Sequence, residues 1–145
     1  MGDIAKDINS TFPNEKVKAL INIKYTANWL DTIGNTVLKP YKISVQQYNI
    51  LRILKGTNEA ITVNTVKQRM IQKSPNSTRL MDKLCDKKLI ERTRCEQDRR
   101  VVYVKITDKG LELLSKINTD EFNNQMNNIT ENEAKLLNKI LDKIR

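Results

Sequence analysis

Residues 74–106 read SPNSTRLMDKLCDKKLIERTRCEQDRRVVYVKI, and the periodicity of this stretch decides the fold. Ser74-Pro75 predicts a helix start, because a serine hydroxyl can cap an orphan amide and proline at the first helical position gives up no hydrogen bond. Leu80 and Leu84 stand four apart with Met81 and Cys85 beside them, which makes one apolar stripe. The opposite face takes Asn76, Ser77, Arg79, Asp82, Lys83 and Asp86. After Leu89 the period falls to two, over 90–95 and again over 101–106, around the polar run Glu96, Gln97, Asp98, Arg99, Arg100. The stretch is thus a helix leading into a two-stranded hairpin with arginines at its tip.

Charge is concentrated in the same place. The chain carries +9 overall, and residues 67–105 hold 12 basic and 5 acidic residues, a net +7. Lysine abundance alone says little, since Lys, Ile and Asn (18, 16 and 16) are all enriched, as an A/T-rich genome would produce. Arginine is more telling. Six of the eight (Arg69, Arg79, Arg92, Arg94, Arg99 and Arg100) fall in this segment, where bidentate contacts to phosphate or guanine would use them. An isolated charge run is usually a solvated face. Beside a helix and a hairpin, it reads as a nucleic-acid surface.

Upstream, Thr62 predicts a helix cap with Val63, Val66 and Met70 behind it, and Gln72 to Ser74 make a short turn into the next helix. Two helices joined this tightly form a helix-turn-helix, whose second helix enters the major groove. With the hairpin following, the pattern is a winged helix. Ser44 with Gln47 has the form of a capping box, with Val45, Tyr48, Leu51 and Leu54 as the inner stripe and Gly56 as the expected stop. Ile61 can add a very short strand. Before these, Glu15 to Pro40 carries a long apolar helical face through Val17, Leu20, Ile21, Trp29, Leu30, Ile33, Val37 and Leu38. It needs a partner to cover it, from the chain's own C-terminus or a second subunit. Downstream, Thr107 predicts a cap for a helix through Leu111, Leu114 and Ile117 that continues toward Met126, and Gly110 in its first turn implies close packing. Thr130 with Glu133 is a second capping box, ahead of Leu136, Leu137, Ile140, Leu141 and Ile144.

At 145 residues the chain has the length of one domain. With no histidine, the usual general base and most catalytic zinc sites are absent. Cys85 and Cys95 have no companion ligands, and no nucleophile or Gly-rich phosphate motif occurs. No enzyme activity, cofactor or metal is expected. Met1-Gly2 is not followed by the Ser or Thr that myristoylation needs at position 6, which is Lys6. The sequence shows no apolar run of membrane-span length and no signal-peptide core, so the expected location is cytoplasmic.

The runs Ser77-Thr78-Arg79-Leu80-Met81-Asp82-Lys83-Leu84, Leu89-Ile90-Glu91-Arg92, Asp98-Arg99-Arg100-Val101 and Ile106-Thr107-Asp108-Lys109-Gly110 together resemble the MarR family of bacterial transcriptional regulators. The resemblance covers the chain from about Glu15 onward. It implies a mainly α fold with a small β-hairpin (α+β), a winged helix-turn-helix with N- and C-terminal dimerisation helices. The expected organisation is one domain over 1–145, with dimerisation helices at 15–39 and 111–145 around a DNA-binding lobe at 44–110. The implied function is a homodimer that binds palindromic promoter DNA, usually represses, and is released by a small aromatic or anionic effector.

By position, Ser74, Pro75, Asn76, Ser77, Thr78 and Arg79 would approach base edges, with Lys83 on the same helix and Arg94 on the hairpin. Arg79 can equally serve as a phosphate contact. Arg99 and Arg100 match the wing arginines that reach the minor groove, and Asp98 matches the aspartate that orients them or serves as a turn residue. Tyr25, Trp29 and Tyr48 are the candidate effector contacts, although aromatics at helical spacing are more often core. Members that sense oxidants carry a reactive cysteine near the N-terminus, and here none precedes Cys85, which reads as a structural thiol. Two rival readings use the same residues: an architectural, non-specific nucleic-acid binder, and a winged helix that serves as a protein-interaction module.

Overall fold

A computed structural model of the chain describes every residue except Met1 and Ser74, so the cap and the base contact expected of Ser74 lie outside the described residues. The elements run α1 (Ile4–Asp7), α2 (Glu15–Leu38), α3 (Val45–Thr57), β1 (Ile61–Thr62), α4 (Val63–Arg69), α5 (Ser77–Asp86), β2 (Ile90–Arg94), β3 (Val102–Ile106), α6 (Asp108–Lys116), α7 (Asp120–Asn124) and α8 (Glu131–Ile144). The strands form one antiparallel sheet in the order β1-β3-β2, with Ile61 and Arg92 both registered against Val104. This is the mainly α, winged architecture that the alternation of periods predicts.

Local chemistry sets most boundaries. Ser44 and Gln47 close a reciprocal capping box at α3, and Thr130 and Glu133 close another at α8. The Glu133 carboxyl is held below its ordinary value, first by the Thr130 backbone N–H and then by the Thr130 hydroxyl. Thr62 and Thr107 cap α4 and α6 through their hydroxyls. Three expectations need correction. α3 does not stop at Gly56 but runs to Thr57, and Asn58 ends it in the left-handed region at φ 55°, a conformation asparagine tolerates. The helix after the wing does not reach Met126. It ends at Lys116, where Ile117 turns extended and buries its side chain, and Asn118 Oδ1 accepts the Asp120 N–H to begin α7. α5 starts at Ser77 rather than at Pro75.

The core lies between α3, α4, α5 and the inner face of the sheet, where Ile50, Leu51, Leu54, Val66, Met81, Leu84 and Val104 are fully buried beside Leu38. The inner stripe of α3 is rotated from the expected one. Gln47 and Ile50 are buried with Leu51 and Leu54, whereas Val45 and Tyr48 are half-buried toward α2 and α7, where Tyr48 stacks on Phe122 at 5.6 Å. Gly34 is the point of approach, since a Cβ there would meet Val45 Cγ2 at 2.8 Å and Phe122 at 3.1 Å. Gly110 is tighter still, as its sequence position implied. A Cβ would lie 2.3 Å from the Leu89 carbonyl and 2.7 Å from Ile106 Cγ1.

The outer helices are different. Of α2, only Gly34 and Leu38 are buried, and Leu20, Ile23, Tyr25, Trp29 and Leu30 are exposed. α8 buries no residue, and Leu136 and Ile144 are 57% and 64% exposed.

Candidate nucleic-acid interface

The turn between α4 and α5 is fixed by side chains from two other helices. Met70 leaves α4 in an extended conformation with its side chain buried. The Ile71 N–H donates to Asn49 Oδ1 at 3.1 Å. Gln72 accepts from Gln46 Nε2 at 2.7 Å and donates to Asp31 Oδ2 at 2.8 Å. The turn is thereby tied to α3 and to the long helix α2, which gives α5 a defined starting point.

α5 is anchored by Ser77, Met81 and Leu84, all buried. Ser77 was expected on the outward polar face, but it is only 3% exposed, because the stripe passes through i, i+4 and i+7 from Ser77 rather than from Leu80. Leu80 and Cys85 flank this stripe half-buried. The Leu80 carbonyl accepts from the buried Gln47 side chain at 3.4 Å. Pro75, Asn76, Thr78, Arg79 and Lys83 are exposed, as the base or phosphate contacts would require. Burial raises the Cys85 thiol above its ordinary value, against a lowering by Arg92, so the group is a poor thiolate.

At the wing, Cys95 N–H donates to the Val101 carbonyl and Val101 N–H to the Asp98 carbonyl, closing the tip. Asp98 Oδ1 accepts the Arg100 backbone N–H at 3.0 Å. This is turn chemistry, and among the described residues no ion pair joins Asp98 to a guanidinium. Arg94, Arg99 and Arg100 are all exposed. Arg92, one of the six arginines of the basic segment, is instead engaged within the protein: it lies on β2 and pairs with Asp82 of α5 at 2.5 Å. A cleft of about 360 Å³ opens beside that pair, lined by Thr62, Asn64, Lys67, Thr78, Arg92 and Arg100 among others. Tyr25 and Trp29 lie on the exposed side of α2, while Tyr48 is taken up by its stack on Phe122.

A family model for the transcriptional regulators SarA and Rot matches residues 32–117, more than half of the chain and the whole of the helix-turn-helix and wing. The chain belongs to the SarA/Rot family of transcriptional regulators. The resemblance to MarR regulators holds as well. A MarR transcription factor from Planctomyces limnophilus is 29% identical, covers 91% of this chain and 98% of its own, and superposes with a TM-score of 0.70. A mutant MarR from E. coli, solved with operator DNA, shares the fold over 99% of both chains at a TM-score of 0.71 and 24% identity. Among curated relatives, the HTH-type transcriptional regulator MgrA of Staphylococcus aureus is 26% identical over 112 residues, 77% of this chain and 76% of the relative. This SarA/Rot member is therefore a winged helix-turn-helix transcription regulator.

The wing of this SarA/Rot member offers a direct test. Replacing Arg99 and Arg100 together by Ala should weaken duplex binding by on the order of tenfold or more. Stability should stay within about 0.5 kcal/mol, because the tip lies outside the core. Fluorescence anisotropy and a thermal melt read the two effects separately. A folded double variant with unchanged affinity removes the wing from the interface.

Proposed function

We propose that the chain is a homodimeric repressor that binds inverted-repeat promoter DNA in the cytoplasm. The observation that carries the proposal is the exposure, on one helix and the wing it packs against, of Arg79, Lys83, Arg94, Arg99 and Arg100, with the core wholly behind them. In this reading Pro75, Asn76, Thr78 and Arg79 approach base edges while Ser77 faces the core, and Lys83 and the wing arginines hold phosphates and the minor groove. The dimer is supported by the uncovered apolar faces of α2 and α8, too large to be left to solvent in a lone chain. Dimerisation helices at 15–39 and 111–145 would then flank the DNA-binding lobe at 44–110. A small aromatic or anionic effector completes the proposal, with Tyr25 and Trp29, one turn apart on α2, as its stacking surface.

The decisive experiment selects bound sequences from a random duplex pool and sediments the free protein. Inverted repeats should emerge, with half-site centres about 34 Å apart and a preference over unrelated duplex of at least about 10³. The sedimenting mass should be twice the 16.8 kDa of the chain. Binding without sequence enrichment would mean an architectural role. No binding at low salt would mean a protein-interaction module, and a stable monomer would remove the dimer.

A further inference from the structure

Among the basic residues of α5 and the wing, Arg92 differs in what it touches. It sits mid-strand on β2 opposite Val104, half-buried beneath the exposed cations. Its Nη1 donates to Asp82 Oδ1 at 2.5 Å and its Nη2 to the Thr78 carbonyl at 3.3 Å. Thr78 and Asp82 are one helical turn apart, so the guanidinium spans a turn of α5 from the neighbouring strand. Its Nε is buried without a hydrogen-bond partner among the described residues.

The junction it bridges is held differently at its two ends. At one end Leu84 and Ile90 are buried, and apolar packing joins helix to strand. At the other, a cleft of about 360 Å³ opens between α4, α5 and the wing, lined by Val63, Val101 and Val102 as well as by Lys67, Thr78, Arg92 and Arg100. The polar fork of Arg92 crosses from strand to helix at this end. A recognition helix and a wing must meet a duplex together, one in the major groove and one beside it, so the angle between them decides whether both sets of contacts form.

We infer that Arg92 is a positioning residue: through Asp82 and the Thr78 carbonyl it sets the angle between the recognition helix and the wing, and it makes no contact with DNA itself. The inference rests on the DNA-binding reading above. It also predicts a sign that simple electrostatics reverses. Asp82 is a negative charge on the DNA-facing side, so its removal should tighten binding if its only effect is on the phosphates. If it holds Arg92, removal should weaken specific binding.

The test uses the full chain with Asp82→Asn and Arg92→Lys, each confirmed folded by circular dichroism. Both are titrated at several salt concentrations against the duplex selected by the wild type and against an unrelated duplex. Lysine keeps the charge of Arg92 but not its two-pronged geometry, which a phosphate contact would tolerate and a fork would not. Each variant should lose on the order of tenfold on the selected duplex, the size of one charge-assisted hydrogen bond. For Arg92→Lys, which keeps the charge, affinity for the unrelated duplex and the salt slope should stay as in the wild type, and Asp82→Asn should bind the unrelated duplex no more weakly than the wild type does. Exchanging the partners, as Asp82→Arg with Arg92→Asp, should recover part of the loss. Asp82→Asn binding as tightly as wild type or tighter, Arg92→Lys at full affinity, or an equal loss on both duplexes each overturns the inference. If the wild type itself prefers no duplex, the DNA-binding reading falls first, and this inference with it.

Discussion

Raising monovalent salt from about 50 to 200 mM should cost this protein on the order of 10³-fold in affinity for its operator. The segment from Lys67 to Lys105 carries a net +7, and the structure exposes Arg79, Lys83, Arg94, Arg99 and Arg100 on it. The proposed dimer would present that set twice, enough to neutralise several phosphates and release their counterions. The slope of log K against log salt falls by about 0.9 for each phosphate contacted. Arg79→Ala then separates the two roles open to that residue. If Arg79 is bidentate to guanine, the variant loses about 1 to 3 kcal/mol and relaxes one base position per half-site. If Arg79 touches only phosphate, affinity drops evenly for all sequences and the slope becomes shallower by about one per subunit. Titrating wild type and variant against single-base operator changes at several salt concentrations reads both. Salt-independent binding by the wild type would contradict the electrostatic account outright.

Gly110→Ala should destabilise the protein by about 2 to 3 kcal/mol and lower its melting temperature by roughly 5 to 10 °C. Helix propensity alone gives the opposite sign, since Ala in a helix is favoured over Gly by about 1 kcal/mol. Packing decides the matter. The new Cβ would lie 2.3 Å from the Leu89 carbonyl, which accepts the Thr107 N–H at 3.1 Å just before α6. α6 would have to move off the sheet and strain that bond. Gly56 is the internal control, in α3 with no atom of the described residues within 4 Å of a Cβ and no positive φ. Gly56→Ala should be neutral or stabilising by up to about 1 kcal/mol. Thermal melts of both variants suffice, and equal shifts in the two would show that the Leu89 contact does not matter.

Features written in a few adjacent residues were legible before the fold was known. The two capping boxes and the caps at Thr62 and Thr107 depend on side chains within three or four positions of the backbone they serve, the hairpin shows in its local period of two, and Gly110 stands out because a glycine in a first helical turn is itself unfavourable. What escaped depends on tertiary contact. Ser77 reads as one more polar residue on a polar face, and only the packing of α5 onto the core turns it inward. The end of α3 at Asn58 rather than Gly56 is a choice between two permissive residues that propensity does not make. The break after Lys116 follows from burial of Ile117, which continues a helical apolar stripe on paper. Arg92 and Asp82 are ten residues apart on different elements, so no local period joins them. Because both belong to a charged run, they looked like surface.

The bareness of α8 has a consequence for how this protein persists. It has 14 residues and buries none of them. Isolated helices of fewer than about 12 to 15 residues are marginal in water, so α8 owes its persistence to whatever packs on it. If that is a second copy, as proposed, foldedness becomes a function of protein concentration and the melting temperature rises with it. Dilution would then unravel the C-terminus first and hand it to proteases, so that a cell making few copies would also clear them fastest. Scarcity of the regulator would reinforce itself, without any ligand or modification to signal it.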